Sequence, residues 1–130
     1  MNKFVLLIGR WSPFHLGHKY LVDSHLNAGK NVCIAVRKSK EKYNPQERVY
    51  MIESVFKKQI EDGRVEVILI PDIEGVAVGR DVGYYIARVP EEVERISGTK
   101  IRAGESWDLP KEVKEILDRW EKLRIRREKK

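Results

Sequence analysis

His15 and His18, separated by Leu16-Gly17, follow the apolar run Phe4-Val5-Leu6-Leu7-Ile8 and the turn Gly9-Arg10-Trp11-Ser12-Pro13-Phe14. The run reads as a buried strand, and the histidines fall where a helix begins. A strand-to-helix turn gathers backbone N–H groups and the positive end of a helix dipole at one point, which favours phosphate. Histidines add imidazole donors there without a fixed negative charge. Gly17 removes a side chain where a ligand would approach the backbone. Such a site suits attack on a nucleotide α-phosphate, with charge building on phosphate oxygens and on departing pyrophosphate.

The elements that must position these residues are legible as periodicity. Residues 3–9 read as a fully buried strand. Residues 16–28 read as a helix with Leu16, Tyr20, Leu21 and Ala28 inward, stopped by Gly29. Val32-Cys33-Ile34-Ala35-Val36 is a second continuous apolar strand. Asn44 and Pro45 suit the cap and first turn of a helix. Its stripe is Val49, Ile52, Val55, Phe56 and Ile60, ending at Asp62-Gly63. Residues 64–70 form a third strand. Strands without alternation, separated by helices, predict an α/β fold: a Rossmann-like parallel sheet with helices on both faces. Residues 71–97 are punctuated by Gly75, Gly79 and Gly83; within them, residues 84–89 read as a strand or a short helix, the strand being favoured. A last amphipathic helix spans about residues 111–126, with Val113, Ile116, Leu117, Trp120 and Leu123 on one stripe.

The chain has 130 residues, 42% hydrophobic and 35% charged, as expected for a soluble globular domain. No apolar run approaches the ~20 residues of a membrane span, and no secretory signal opens the sequence. Its one cysteine, Cys33, excludes an internal disulfide. The expected compartment is the cytoplasm. Net charge is +6, concentrated in residues 122–130, which read as a solvated basic helix end rather than a nucleic-acid site. A membrane partner is not expected.

Three segments carry a family resemblance, in family order. Gly9-Arg10-x-x-Pro13-x-His15-x-Gly17-His18 resembles the opening motif of the small nucleotidyltransferases that share a histidine-x-glycine-histidine motif. Within them it is most similar to the nicotinamide-mononucleotide adenylyltransferase branch. Ile96-Ser97-Gly98-Thr99-Lys100-Ile101-Arg102 is similar to that superfamily's isoleucine-serine-x-threonine-x-x-arginine motif. Asn44-Pro45-Gln46-Glu47-Arg48 resembles the segment opening the second helix of the archaeal adenylyltransferases. The resemblance covers about residues 3–103.

The resemblance implies transfer of AMP from ATP to a small phosphorylated acceptor such as nicotinamide mononucleotide, releasing pyrophosphate without a covalent intermediate. It implies that His18 bonds the α-phosphate and His15 the β- or γ-phosphate. Ser97 and Thr99 meet the triphosphate at a helix start, and Arg102 adds a guanidinium. Gly9, Arg10, Gly17 and Arg48 line the phosphate-facing turns. Asp72, after the third strand, binds a ribose or acceptor hydroxyl. One of Lys38, Lys40 and Lys42 reaches the triphosphate from the loop after the second strand. Magnesium is held mainly by the triphosphate, with no metal site in the protein. Trp11 and Tyr43 read equally as base-stacking or as core residues, and His25 as a surface or packing residue. Relatives are commonly homo-oligomers, so a homo-oligomer is expected.

The domain division that follows is a nucleotidyltransferase domain over residues 1–108 and a basic amphipathic helix, residues 109–130, packed on it. Residues 71–96 are shorter than in full-length relatives, so the acceptor pocket is expected to be open. Two other readings stand beside this one: a cytidylyltransferase making a CDP-alcohol, and a noncatalytic nucleotide- or RNA-binding module.

Overall fold

A computed structural model describes residues 3–80, 82–87 and 109–128. Strand β1 (Phe4–Gly9) leads into helix α1 (Leu16–Asn27), followed by β2 (Asn31–Arg37), α2 (Pro45–Val55), the short α3 (Lys57–Glu61), β3 (Val65–Ile70) and α4 (Lys111–Glu128). The strands form a parallel sheet in the order β1-β2-β3. Leu7, Ile34 and Val67 lie in register across it.

One face of the sheet is the core face. Leu7, Val32, Ile34, Val36 and Val65 are buried there against Val22 and Leu26 of α1, Met51 and Ile52 of α2, Phe56, and Val113 of α4. Right-handed crossovers that step in one direction across a sheet leave their helices on the same side. That rule accounts for α1 and α2 sharing this face. The expectation of helices on both faces is therefore met on one face only among the described residues. On the opposite face Leu6 is 53% exposed, and Ile8 and Ile68 are exposed with it. Cys33 stands on that face between Leu6 and Glu66. Partial burial, then the Glu66 carboxylate, raise its thiol pKa and keep it protonated at neutral pH.

The helix termini follow local chemistry. Asn44 caps α2: its Oδ1 accepts from the Glu47 N–H at 2.8 Å, and the Glu47 carboxylate accepts from the Asn44 N–H at 2.8 Å. Gly29 and Gly63 end their helices at φ of 80° and 76°, where a side chain would be strained. Arg64 Nη2 donates to the carbonyls of Leu26 and Lys30 at 2.8 and 2.9 Å, tying the end of α1 to the start of β3. Helix α4 lies against α2, and Trp120 meets Tyr43 and Tyr50 at ring-centroid distances of 6.4 Å.

Three expectations are corrected. In α1 the inward stripe is Val22 and Leu26, while Leu16, Tyr20 and Ala28 are exposed. His18, Val22 and Leu26 share one face at a four-residue step, so the stripe begins with a histidine that a hydrophobic pattern counts as polar. The second helix breaks at Phe56, whose ring enters the core against Phe14 at 5.7 Å. Residues 84–87 are irregular, not strand, and Tyr84, Tyr85 and Ile86 are exposed. Their apolar character therefore does not serve the sheet; Tyr85 instead receives the Lys30 ammonium over its ring at 5.3 Å.

His25, near the end of α1, is partly buried. Burial and then the Lys30 charge hold its pKa below the ordinary 6.5. The unfolded chain thus binds this proton more readily than the folded one. Stability is full above about 6.5 and is lost as pH falls toward and through the lower folded value. His25→Gln is expected to lose less stability than the parent between pH 7.5 and 5, measured by urea midpoint. Equal losses would exclude the effect.

Candidate active site

The turn after β1 is shaped by Trp11. Its φ is +52°, an unfavourable region for a non-glycine residue. The strain is met by burial of the indole and by a hydrogen bond from Nε1–H to the Ala35 carbonyl at 2.8 Å. That bond pins the turn to β2. The indole then lies over Gly9, where an added Cβ would sit 2.9 Å from the ring. Gly9 is thus required by the packing of Trp11. Gly9→Ala is expected to destabilise the fold by about 1–3 kcal/mol through overpacking. A urea midpoint equal to the parent's would contradict this.

His15 and His18 form a reciprocal cap at the start of α1. His15 Nδ1 accepts from the His18 N–H at 3.4 Å, and His18 Nδ1 accepts from the His15 N–H at 3.2 Å. The rings stack with centroids 3.6 Å apart and planes 17° from parallel. A nitrogen that accepts a hydrogen bond carries no proton, so each neutral imidazole bears its hydrogen on Nε2. The cap therefore sets the tautomer of both rings. Trp11 meets the His18 ring edge-on at 4.7 Å, and Phe14 lies at 5.4 Å. His15 is buried, Gly17 is buried in the first turn, and His18 is half-buried. The result is a rigid pair of N–H donors at a helix N-terminus and at the C-terminal end of a parallel strand, where α/β sheets bind ligands.

The other expected site residues fall in two groups. Arg10 pairs with Glu41: Nε and Nη2 lie 3.0 and 2.9 Å from Oε1. Arg48 is fully buried, and its guanidinium donates to main-chain carbonyls of the scaffold. Nε donates to the Tyr43 carbonyl at 3.0 Å and Nη1 to the Arg10 carbonyl at 3.1 Å. Nη2 donates to the carbonyls of Arg37 and Ser39 at 2.9 and 3.0 Å. It thereby joins the chain ends of β1 and β2 to the loop entering α2. Burial lowers its pKa; Glu41 opposes that shift and Arg37 adds to it.

Asp72 is exposed beside Arg37, with Oδ1 3.9 Å from Nη1. Lys38, Lys40 and Lys42 are exposed, and the Lys42 ammonium lies 5.6 Å from the Tyr43 ring centroid. Trp11 is a buried core residue, and Tyr43 is half-buried against the core and Trp120. Ser97, Thr99 and Arg102 lie outside the described residues.

Arg37, Ser39 and Glu41 were not singled out by sequence reasoning. The available signal was positional: they follow the central strand at the end of the sheet that holds the histidine turn. Among the described residues no cluster of His, Cys, Asp and Glu could hold a metal ion, and no helix is long and apolar enough to cross a membrane. Comparison of the chain with models of known protein families gives no match, and comparison with curated proteins gives none.

Proposed function

We propose that the chain is a nucleotidyltransferase that moves AMP from ATP to a small phosphorylated acceptor and releases pyrophosphate. The observation that carries this reading is the reciprocal cap of His15 and His18. It supplies two stacked imidazoles whose hydrogens sit on Nε2, a donor pair suited to phosphate oxygens. In the proposed reaction an acceptor phosphate oxygen attacks the α-phosphorus. The bond to the pyrophosphate oxygen breaks, and the electron pair leaves with pyrophosphate. The acceptor phosphate is already ionised at neutral pH, so no strong base is needed. Preorganised donors lower the barrier by meeting charge as it develops.

Arg10 adds positive charge beside the turn, and on this reading Ser97, Thr99 and Arg102 complete the triphosphate site from the second motif. His15, His18 and Arg10 offer donors and cations, so magnesium would arrive on the triphosphate. Among the described residues, the three-stranded parallel sheet with helices on one face is compatible with part of a Rossmann-like nucleotidyltransferase sheet.

The test is pyrophosphate release from ATP, CTP, GTP or UTP with magnesium, against a panel of phosphorylated acceptors including nicotinamide mononucleotide. ATP with at least one acceptor is expected to give product. Release with CTP alone would replace the adenylyl reading by a cytidylyl one. No release with any pair would leave a binding module.

A further inference from the structure

Arg37 is the last residue of β2 and stands on the sheet face of Ile8, Ala35 and Ile70. Its main chain is locked from behind, because the Arg37 carbonyl accepts from Arg48 Nη2 at 2.9 Å. Its side chain is held less firmly. Nε is buried and, among the described residues, has no hydrogen-bond partner. Nη1 lies 3.9 Å from Asp72 Oδ1, beyond the 2.7–2.9 Å typical of a charge-assisted hydrogen bond. Buried donors in folded proteins are nearly always satisfied, so an orphaned guanidinium N–H calls for an explanation. Asp72 attracts this guanidinium without filling its hydrogen bonds.

Charges of both signs surround it, Asp72 and Glu41 among Arg10 and Arg48. Arg10 pairs with Glu41. Arg48 donates to neutral carbonyls only. Arg37 is close enough to Arg48 to disfavour its charge. Glu41 already outweighs that repulsion, so what an anion near Arg37 would supply is the missing acceptor for Nε–H. A planar guanidinium meets a tetrahedral oxyanion through two parallel N–H bonds, which Lys cannot reproduce.

Resting on the function proposed above, we propose that Arg37 is the specificity-determining residue for the acceptor, and that its guanidinium binds the acceptor's phosphate monoester. Asp72 holds the Nη1 side of the guanidinium until the acceptor arrives. The Nε side turns to the phosphate, breaking the weak Asp72 contact. The triphosphate is assigned to the histidine cap on α1, so the two anionic groups enter from different strand ends.

The first test needs no activity. Inorganic phosphate is titrated into ¹⁵N-labelled protein while the arginine Nε–H resonances are followed, with Arg37→Lys used to assign Arg37. A saturable shift of the Arg37 resonance is expected, and it should persist with magnesium-ATP present. No shift overturns the proposal. A shift abolished by magnesium-ATP assigns Arg37 to the triphosphate and overturns the acceptor role.

The second test is kinetic, with nicotinamide mononucleotide or the best acceptor of the screen. Arg37→Lys is expected to raise the acceptor KM by about ten-fold or more, with the ATP KM changed by about two-fold or less. A rise confined to the ATP KM, or no change in either, overturns the proposal. If no triphosphate and acceptor pair releases pyrophosphate, the enzymatic reading fails, while the titration still decides whether Arg37 binds phosphate.

Discussion

Replacing His18 by alanine is expected to lower turnover by about 10²–10³ while changing triphosphate affinity little, because a donor aimed at developing charge is felt mainly in the transition state. The substitution has a second consequence. His18 Nδ1 accepts from the His15 N–H, so alanine also removes half of the cap on α1. Loss of a cap costs about 1 kcal/mol. His18→Gln separates the two effects, because glutamine at the third helical position can restore the cap but cannot place an imidazole Nε2–H. Stability is therefore expected to return in His18→Gln and turnover to stay low. Steady-state kinetics, triphosphate titration and urea midpoints on both variants make the check. Parental turnover in a folded His18→Ala would remove the histidine from the reaction. Turnover that recovers together with stability in His18→Gln would reduce its role to capping.

How far the site was legible in the sequence can be judged from these same residues. Continuous apolar strands and the Asn44-Pro45 start predict the parallel strands and α2 because those signals are local, but the full burial expected of residues 3–9 is not met, since Leu6 and Ile8 are exposed among the described residues. The histidine spacing predicted a helix start, but not that the two rings cap one another. That property depends on ring rotamers set by Trp11 and Phe14. Hydropathy misplaces the phase of α1 because its buried stripe includes His18, a histidine held among aromatic rings. For Arg48 the sequence shows charge and not environment. Its four carbonyl acceptors come from Arg10, Arg37, Ser39 and Tyr43, which only the folded chain brings together. Arg37 gives no signal in the sequence for the converse reason, being the end of an apolar strand with no motif around it.

Arg48 carries the other large expected effect, and it lies in stability rather than binding. Its guanidinium is the shared donor for three chain segments: the residue after β1, the end of β2 with Ser39, and the loop entering α2. Arg48→Met keeps much of the side-chain volume but leaves those four carbonyls without their donor. Each buried, unsatisfied polar group costs about 1–3 kcal/mol. Water reaching the outermost carbonyls would offset part of the sum, so a net loss on the order of 3–5 kcal/mol is expected. That is a large share of the roughly 5–15 kcal/mol by which a domain is stable. Arg48→Lys is expected to recover little, because one ammonium cannot span acceptors arranged around a planar fork. The measurement is urea unfolding of the three proteins, read at midpoint and slope. The activity pattern separates scaffold from ligand. If Arg48 serves the scaffold, Arg48→Lys below its unfolding transition disturbs acceptor and triphosphate KM together, since Arg10 and Arg37 both hang from its hydrogen bonds. A stable Arg48→Lys with only the triphosphate KM raised would return Arg48 to the phosphate site and overturn the structural role.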